Sequence, residues 1–94
     1  MKLPGTTQAS VLKALDEHHS WHRGGAWKWD TWSGTERVMK SLAREGWADV
    51  TEARPGVSDT YTITDTGREA LRRHTEKVAA EYREARVIGS VLRP

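Results

Sequence analysis

TWSGTERVMKSLAREGWADV, residues 31–50, carries a helix signal at each end and a change of hydrophobic period beyond the second. Ser33 and Glu36 have capping-box spacing, in which each side chain satisfies a free amide of the first turn, stabilising it by roughly 1 kcal/mol. A helix starting at Ser33 is expected. Val38, Met39 and Leu42 form a narrow apolar stripe, and Gly46 stands where a left-handed C-terminal residue is needed, which predicts about three turns. Trp47 then closes the helix end hydrophobically.

Beyond Trp47 the pattern alternates. Ala48, Val50 and Glu52 oppose Asp49 and Thr51, and Thr60, Thr62 and Thr64 alternate with Tyr61 and Ile63. The two runs predict a hairpin with residues 54–58, RPGVS, at its tip. Thr64 or Asp65 can cap a last helix over residues 65–92, where Leu71, Val78, Ala85 and Leu92 recur every seven residues near His74, Tyr82 and Ile88.

Upstream, Pro4 and Gly5 end an N-terminal arm of residues 1–6. Thr6 or Thr7 can cap a first helix from about Thr7 to His19, with Val11, Leu12 and Leu15 on one side. In HRGGAWKWDTW, residues 22–32, the Gly24-Gly25 pair breaks the helix, and Ala26–Trp29 can form a short strand with both tryptophans on one face.

A chain of 94 residues supports one modest core and one domain, with residues 7–64 as its body. The absence of cysteine excludes disulfides, thiolate zinc sites and thiol catalysis. No apolar stretch of signal-peptide or membrane-span type occurs, so a cytoplasmic protein is expected, with no membrane partner. Net charge is only +2, with pI about 9.2, so the placement of charge matters more than its total. Residues 21–44 hold five basic side chains (Arg23, Lys28, Arg37, Lys40, Arg44) against Asp30 and Glu36, whereas residues 65–88 are close to balance. The cationic excess falls on the capped helix and the segment before it.

Helix, short strand, capped helix, hairpin and helix form the order of a winged helix-turn-helix. SGTERVMKSLAREGWADV resembles the recognition-helix stretch of MarR-like and PadR-like bacterial regulators, and TYTITDTGREALRRH resembles their second wing strand running into the next helix. The resemblance implies an α+β, mainly α winged helix-turn-helix with a two- or three-stranded wing sheet and a long C-terminal helix. One departure is plain. Only Asp30, Thr31 and Trp32 remain for the helix that normally supports the recognition helix, so the usual docking on DNA lacks one of its parts.

Gly34, Arg37, Ser41 and Arg44 share a helical face, flanked by Lys40 and turned away from Val38 and Leu42. Arg37 and Lys40 have the reach for guanine edges, Thr35 and Ser41 can bond bases or phosphate, and the free amides near Ser33 can receive a phosphate. Arg54 at the hairpin tip is placed for the neighbouring backbone or minor groove. A solvated polar face is the plain alternative, since every surface helix has one. With no phenylalanine in the chain, Trp27, Trp29, Trp32 and Trp47 read as core fillers, and Trp21 as the exposed one. His18 and His22 share a face without a third ligand, so no metal is expected and no cofactor either. Nothing assembles a catalytic set.

The expected function is sequence-specific binding of double-stranded DNA and transcriptional regulation, by a homodimer paired through its C-terminal helix, of bacterial or phage origin. The competing reading is a winged-helix protein-contact module, such as a phage factor gripping a host protein through its Trp-rich loop. Low net charge and the reduced second helix favour that alternative.

Overall fold

The computed structural model of the protein describes residues 2–52 and 59–92, with side-chain surroundings given through Glu84. Its elements are α1 (Thr6–His18), β1 (Trp21–His22), α2 (Trp32–Arg44), β2 (Ala48–Thr51), β3 (Thr60–Ile63) and α3 (Asp65–Leu92). The three strands form one antiparallel sheet in the order β1-β3-β2. Mainly helical, with a small sheet whose hairpin lies between α2 and α3, this is the expected α+β winged-helix architecture.

The core forms where α1, α2 and the sheet meet. Val11, Leu12 and Leu15 from α1 pack with Met39 and Leu42 from α2, Trp21, Trp47, Ala48, Tyr61 and Ile63 from in and around the sheet, and Ala70 from α3. Helix α1 begins at Gly5, where the Gln8 side-chain oxygen accepts the Gly5 N–H at 3.0 Å, so neither Thr6 nor Thr7 is its cap. It ends one residue earlier than expected because His19 takes φ 72, a left-handed turn that points the chain into β1.

The strand expected at Ala26–Trp29 does not form, and Trp21–His22 takes its place at the sheet edge. Strand β3 has two edges; β2 pairs along one, and Trp21↔Tyr61 and His22↔Thr60 occupy the other. The Trp-Lys-Trp alternation imitates a strand, yet these residues form no ladder. Trp27 instead donates its indole N–H to Ser20 O at 2.8 Å and accepts the Trp21 indole N–H on its own carbonyl at 2.9 Å.

This exchange reverses the expected ranking of the tryptophans. Trp21 is only 2% exposed, with its ring 5.9 Å from Tyr61 and 6.2 Å from Trp32, whereas Trp29 is 39% exposed. Trp47 is buried as expected, and Trp27 and Trp32 pack half-buried against the core. Burial, with the charges of Glu36 and Asp59, pushes the Tyr61 phenol up.

The start of α3 is fixed by Thr64. Its hydroxyl accepts the Gly67 N–H at 2.9 Å and donates to Gly46 O at 2.7 Å, while its backbone N–H reaches Trp47 O at 3.0 Å. A Cβ on Gly67 would lie 2.1 Å from Trp47 O, so only glycine permits this approach. No helix forms between β1 and α2; residues 23–31 cross as a loop.

Replacing Trp21 by alanine should lower unfolding free energy by about 3–5 kcal/mol in urea titrations, as for a large buried aromatic. Trp29→Ala should cost about 1 kcal/mol or less, as expected of a surface site. Equal losses would contradict the placement of the two rings.

Candidate nucleic-acid interface

Helix α2 owes its orientation to a buried row. Thr35, Met39 and Leu42, four and then three residues apart, are inaccessible and face the core, with Val38 and Ala43 half-buried beside them. The opposite side is left to solvent, and Ser33, Arg37, Lys40 and Arg44 are exposed there. Both helix ends are secured. Thr31 accepts the Gly34 N–H at 2.9 Å, and Gly34 lacks the Cβ that would press on the Thr31 hydroxyl at 2.8 Å. At the other end Gly46 adopts φ 77, its N–H bonds Ala43 O at 3.1 Å, and the Trp47 N–H bonds Leu42 O at 2.9 Å. That pair of bonds is a Schellman closure, with Trp47 buried against the last turn.

The charges on this face are partly answered from within. Glu36 pairs with Lys40 at 3.3 Å and with Arg23 at 3.6 Å, and Arg23 also donates to the Ser33 hydroxyl at 3.3 Å. Both cations remain half exposed or more, and exposed pairs of this kind contribute only about 0–1 kcal/mol, so a phosphate can compete for them. Glu45, at the helix end, is paired with Lys2 at 2.8 Å. Arg37 and Arg44 have no ion-pair partner among the described residues. They lie seven positions apart, two turns along one side of the helix, open to solvent. Lys28, on the loop before α2, holds its ammonium 5.3 Å from the Trp32 ring centroid, an exposed cation–π contact of about 0.5–1 kcal/mol.

The expected site residues divide accordingly. Arg37, Lys40 and Arg44 are brought together on the open face, and Ser33 lies at its beginning. Ser33 is not the helix cap: Thr31 caps, Trp32 opens the helix, and Glu36 turns to Arg23 and Lys40 rather than back to the start. Thr35 leaves the reading face altogether. Its hydroxyl accepts the Trp29 N–H at 3.0 Å and lies 2.6 Å from Trp29 O and 2.7 Å from Thr31 O, sharing one proton between two carbonyls. Ser41 turns toward α1, bonding Val38 O at 2.6 Å and accepting from the Gln8 amide at 3.2 Å. Arg54 and the hairpin tip 54–58 lie outside the described residues.

Sequence reasoning passed over Arg23, Lys28 and Glu36 as site members. For Arg23 and Lys28 no periodicity gives a signal, because a loop brings them to the helix. Thr35 was legible: four before Met39 and seven before Leu42, it falls on the buried stripe.

Other clusters have structural partners. His18 stacks on Trp27 with ring centroids 4.9 Å apart, and no group of three metal-ligating side chains occurs among the described residues. On α3, hydrogen bonds from Arg72 and then Arg73 hold the Glu69 carboxyl down to about 2. The contribution of that pairing is present above the ordinary carboxylate range and is lost only as pH falls through about 2. Val78 and Tyr82 on the same helix are 50% and 67% exposed. Ala85, Ile88 and Leu92 lie beyond the described side chains. No helix among the described residues is long and apolar enough to cross a membrane.

No protein-family model matches the chain, and comparison with curated proteins finds no match. Two solved structures share its fold. The complex structure of hsRosR-S1 superposes with TM-score 0.60 at 15% identity, over 94% of this chain and 88% of that one. The complex structure of hsRosR-S4 gives TM-score 0.61 at 15% identity, over 94% and 86%. At such identity the likeness speaks for the fold, a winged helix along nearly the whole chain.

Thr35→Val keeps the volume but leaves the Trp29 N–H and carbonyl without their partner. It should cost about 1–3 kcal/mol in chemical denaturation. An unchanged midpoint would place the hydroxyl elsewhere.

Proposed function

We propose that the protein is a non-enzymatic, double-stranded DNA-binding regulator that lays α2 in the major groove. The observation that carries this reading is the pair of exposed guanidiniums, Arg37 and Arg44, without an ion-pair partner among the described residues and two turns apart on a helix fixed at both ends. Arginine is the side chain best suited to guanine edges and to phosphate, and its planar fork serves both. Lys40, once released from Glu36, and Ser33 flank it on the backbone side. The hairpin that follows α2 would meet the adjacent backbone or minor groove, with Arg54, read from the sequence as a tip residue, as the wing contact. The resemblance to MarR-like and PadR-like sequences and the RosR-like fold both fit a transcriptional regulator; a cytoplasmic location and a bacterial or phage origin rest on the sequence alone.

The second half of the proposal is pairing. Ala70 and Leu71 near the start of α3 pack on the core, whereas Val78 and Tyr82 further along are 50% and 67% exposed among the described residues. A second copy meeting this outer stretch would form a two-fold dimer with its reading helices roughly 34 Å apart, one turn of DNA.

A protein-contact role is the second reading, favoured by the exposed Trp29 ring and by the partial neutralisation of α2 through Glu36. Fluorescence anisotropy with a random-sequence duplex at 50 and 200 mM salt separates the two. A DNA binder should associate at micromolar concentration and lose affinity steeply with salt. Arg37→Ala combined with Arg44→Ala should weaken binding about tenfold or more at the lower salt with the circular dichroism unchanged. Absence of wild-type association at 50 mM salt would reject DNA binding. For the dimer, Val78→Asp with Tyr82→Asp should convert a two-copy species to a monomer in sedimentation equilibrium; a wild-type monomer at high concentration removes that half of the proposal.

A further inference from the structure

Residues 23–31 stand where a supporting helix would be, and they are fixed more firmly than an ordinary surface loop. The Gly25 N–H bonds His22 O at 3.0 Å, and the Trp27 carbonyl accepts the buried Trp21 indole at 2.9 Å. The Trp27 indole in turn reaches Ser20 O at 2.8 Å, and His18 stacks on its ring. At the far end both backbone groups of Trp29 bond the inaccessible Thr35 hydroxyl, at 3.0 and 2.6 Å. Each of these bonds offsets part of the entropy lost in ordering an irregular segment. What they hold in place is charge. Arg23 is fastened over the first turns of α2 by Ser33 and Glu36, and Lys28 is held over the Trp32 ring.

From this geometry we infer that the loop is a second binding surface, a phosphate clamp that replaces the missing helix. Arg23 and Lys28 would grip the backbone of a nucleic-acid strand flanking the groove that α2 enters. The inference rests on the DNA-binding reading of α2 and extends it to residues outside the helix. Three points support phosphate as the occupant. Arg23 reaches Ser33 and Glu36 and Lys28 reaches Trp32, all in the first turns of α2, and in sequence residues 21–44 set five cations against Asp30 and Glu36. A guanidinium carries five donors, and Ser33 and Glu36 engage only part of that set on Arg23. Groups beside a helix lying in a groove meet the groove wall, which is sugar and phosphate, rather than base edges. Positioning both cations before binding lowers the entropy lost when a strand arrives.

The test uses the full chain carrying Arg23→Gln with Lys28→Gln, compared with the wild type and with the charge-retaining pair Arg23→Lys and Lys28→Arg. A random-sequence duplex is titrated by anisotropy between 50 and 200 mM salt. Each phosphate contact adds about 0.9 to the slope of log affinity against log salt. The glutamine pair should therefore lower the slope by about 2, so that the affinity lost over this range shrinks roughly tenfold, while the charge-retaining pair keeps the wild-type slope. Preference among duplex sequences should not change, because backbone contacts carry no base information. A wild type that binds, with an unaltered slope in a folded glutamine variant, overturns the clamp and leaves the role of α2 standing. A slope reduced equally in the charge-retaining pair assigns these side chains to loop structure and also overturns it. A wild type that binds no duplex rejects the clamp together with the reading on which it rests.

Discussion

The Trp47 carbonyl is the point on which the arrangement turns. It accepts the Thr64 backbone N–H, and the backbone of Gly67 comes so close that no side chain fits between them. Through Thr64 the same junction reaches Gly46, the residue that ends α2. One small knot of backbone therefore ties the end of α2, the base of the hairpin and the first turn of α3. The Leu42 and Ala43 carbonyls at the end of α2 are closed by its own C-terminal turn, and Thr64 takes up the Gly46 and Trp47 carbonyls just beyond it. Together with the buried row of Thr35, Met39 and Leu42, that tie sets how the exposed face of α2 stands relative to the hairpin.

The second constraint is the core tryptophan of β1. A two-residue strand has little ladder to hold it, so its position depends on the side chain. Trp21 fills the space between Tyr61 and Trp32 and spends its indole N–H on the Trp27 carbonyl, which draws the following loop onto the body. Burying a Tyr or Trp requires that its polar atom find a partner. In this chain that requirement organises a segment without regular structure.

Much of the architecture could be read from the residues. The capped helix, the alternation of the hairpin strands, the left-handed Gly46 and the Thr64 cap each rest on a local rule, and each is present with small shifts of boundary. What failed required knowledge of partners distant in sequence. Ala26–Trp29 has the period of a strand, yet the edge of β3 left by β2 is filled by Trp21 and His22. Ser33 and Glu36 satisfy a capping rule, but Thr31 satisfies it two residues earlier and leaves Glu36 to the cations. Ser41 carries the polarity of a surface residue, and only the presence of Gln8 on α1 shows that it faces inward. The arginines of the open face were identified from spacing alone, because helical periodicity is local.

The length of α3 gives the junction at its root a mechanical meaning. With 28 residues the helix runs about 42 Å, and among the described side chains it is Ala70 and Leu71, in its first turns, that rest on the core. Tilting such an arm by about 10° at Thr64 would sweep its far end through about 7 Å. In the proposed pair of subunits, the gap between the two α2 helices would respond to small angular changes at this hinge point, with no rearrangement of the faces themselves. In that proposed pair, leverage of this kind would make the packing around Gly67 a determinant of which spacing along a duplex the two subunits span.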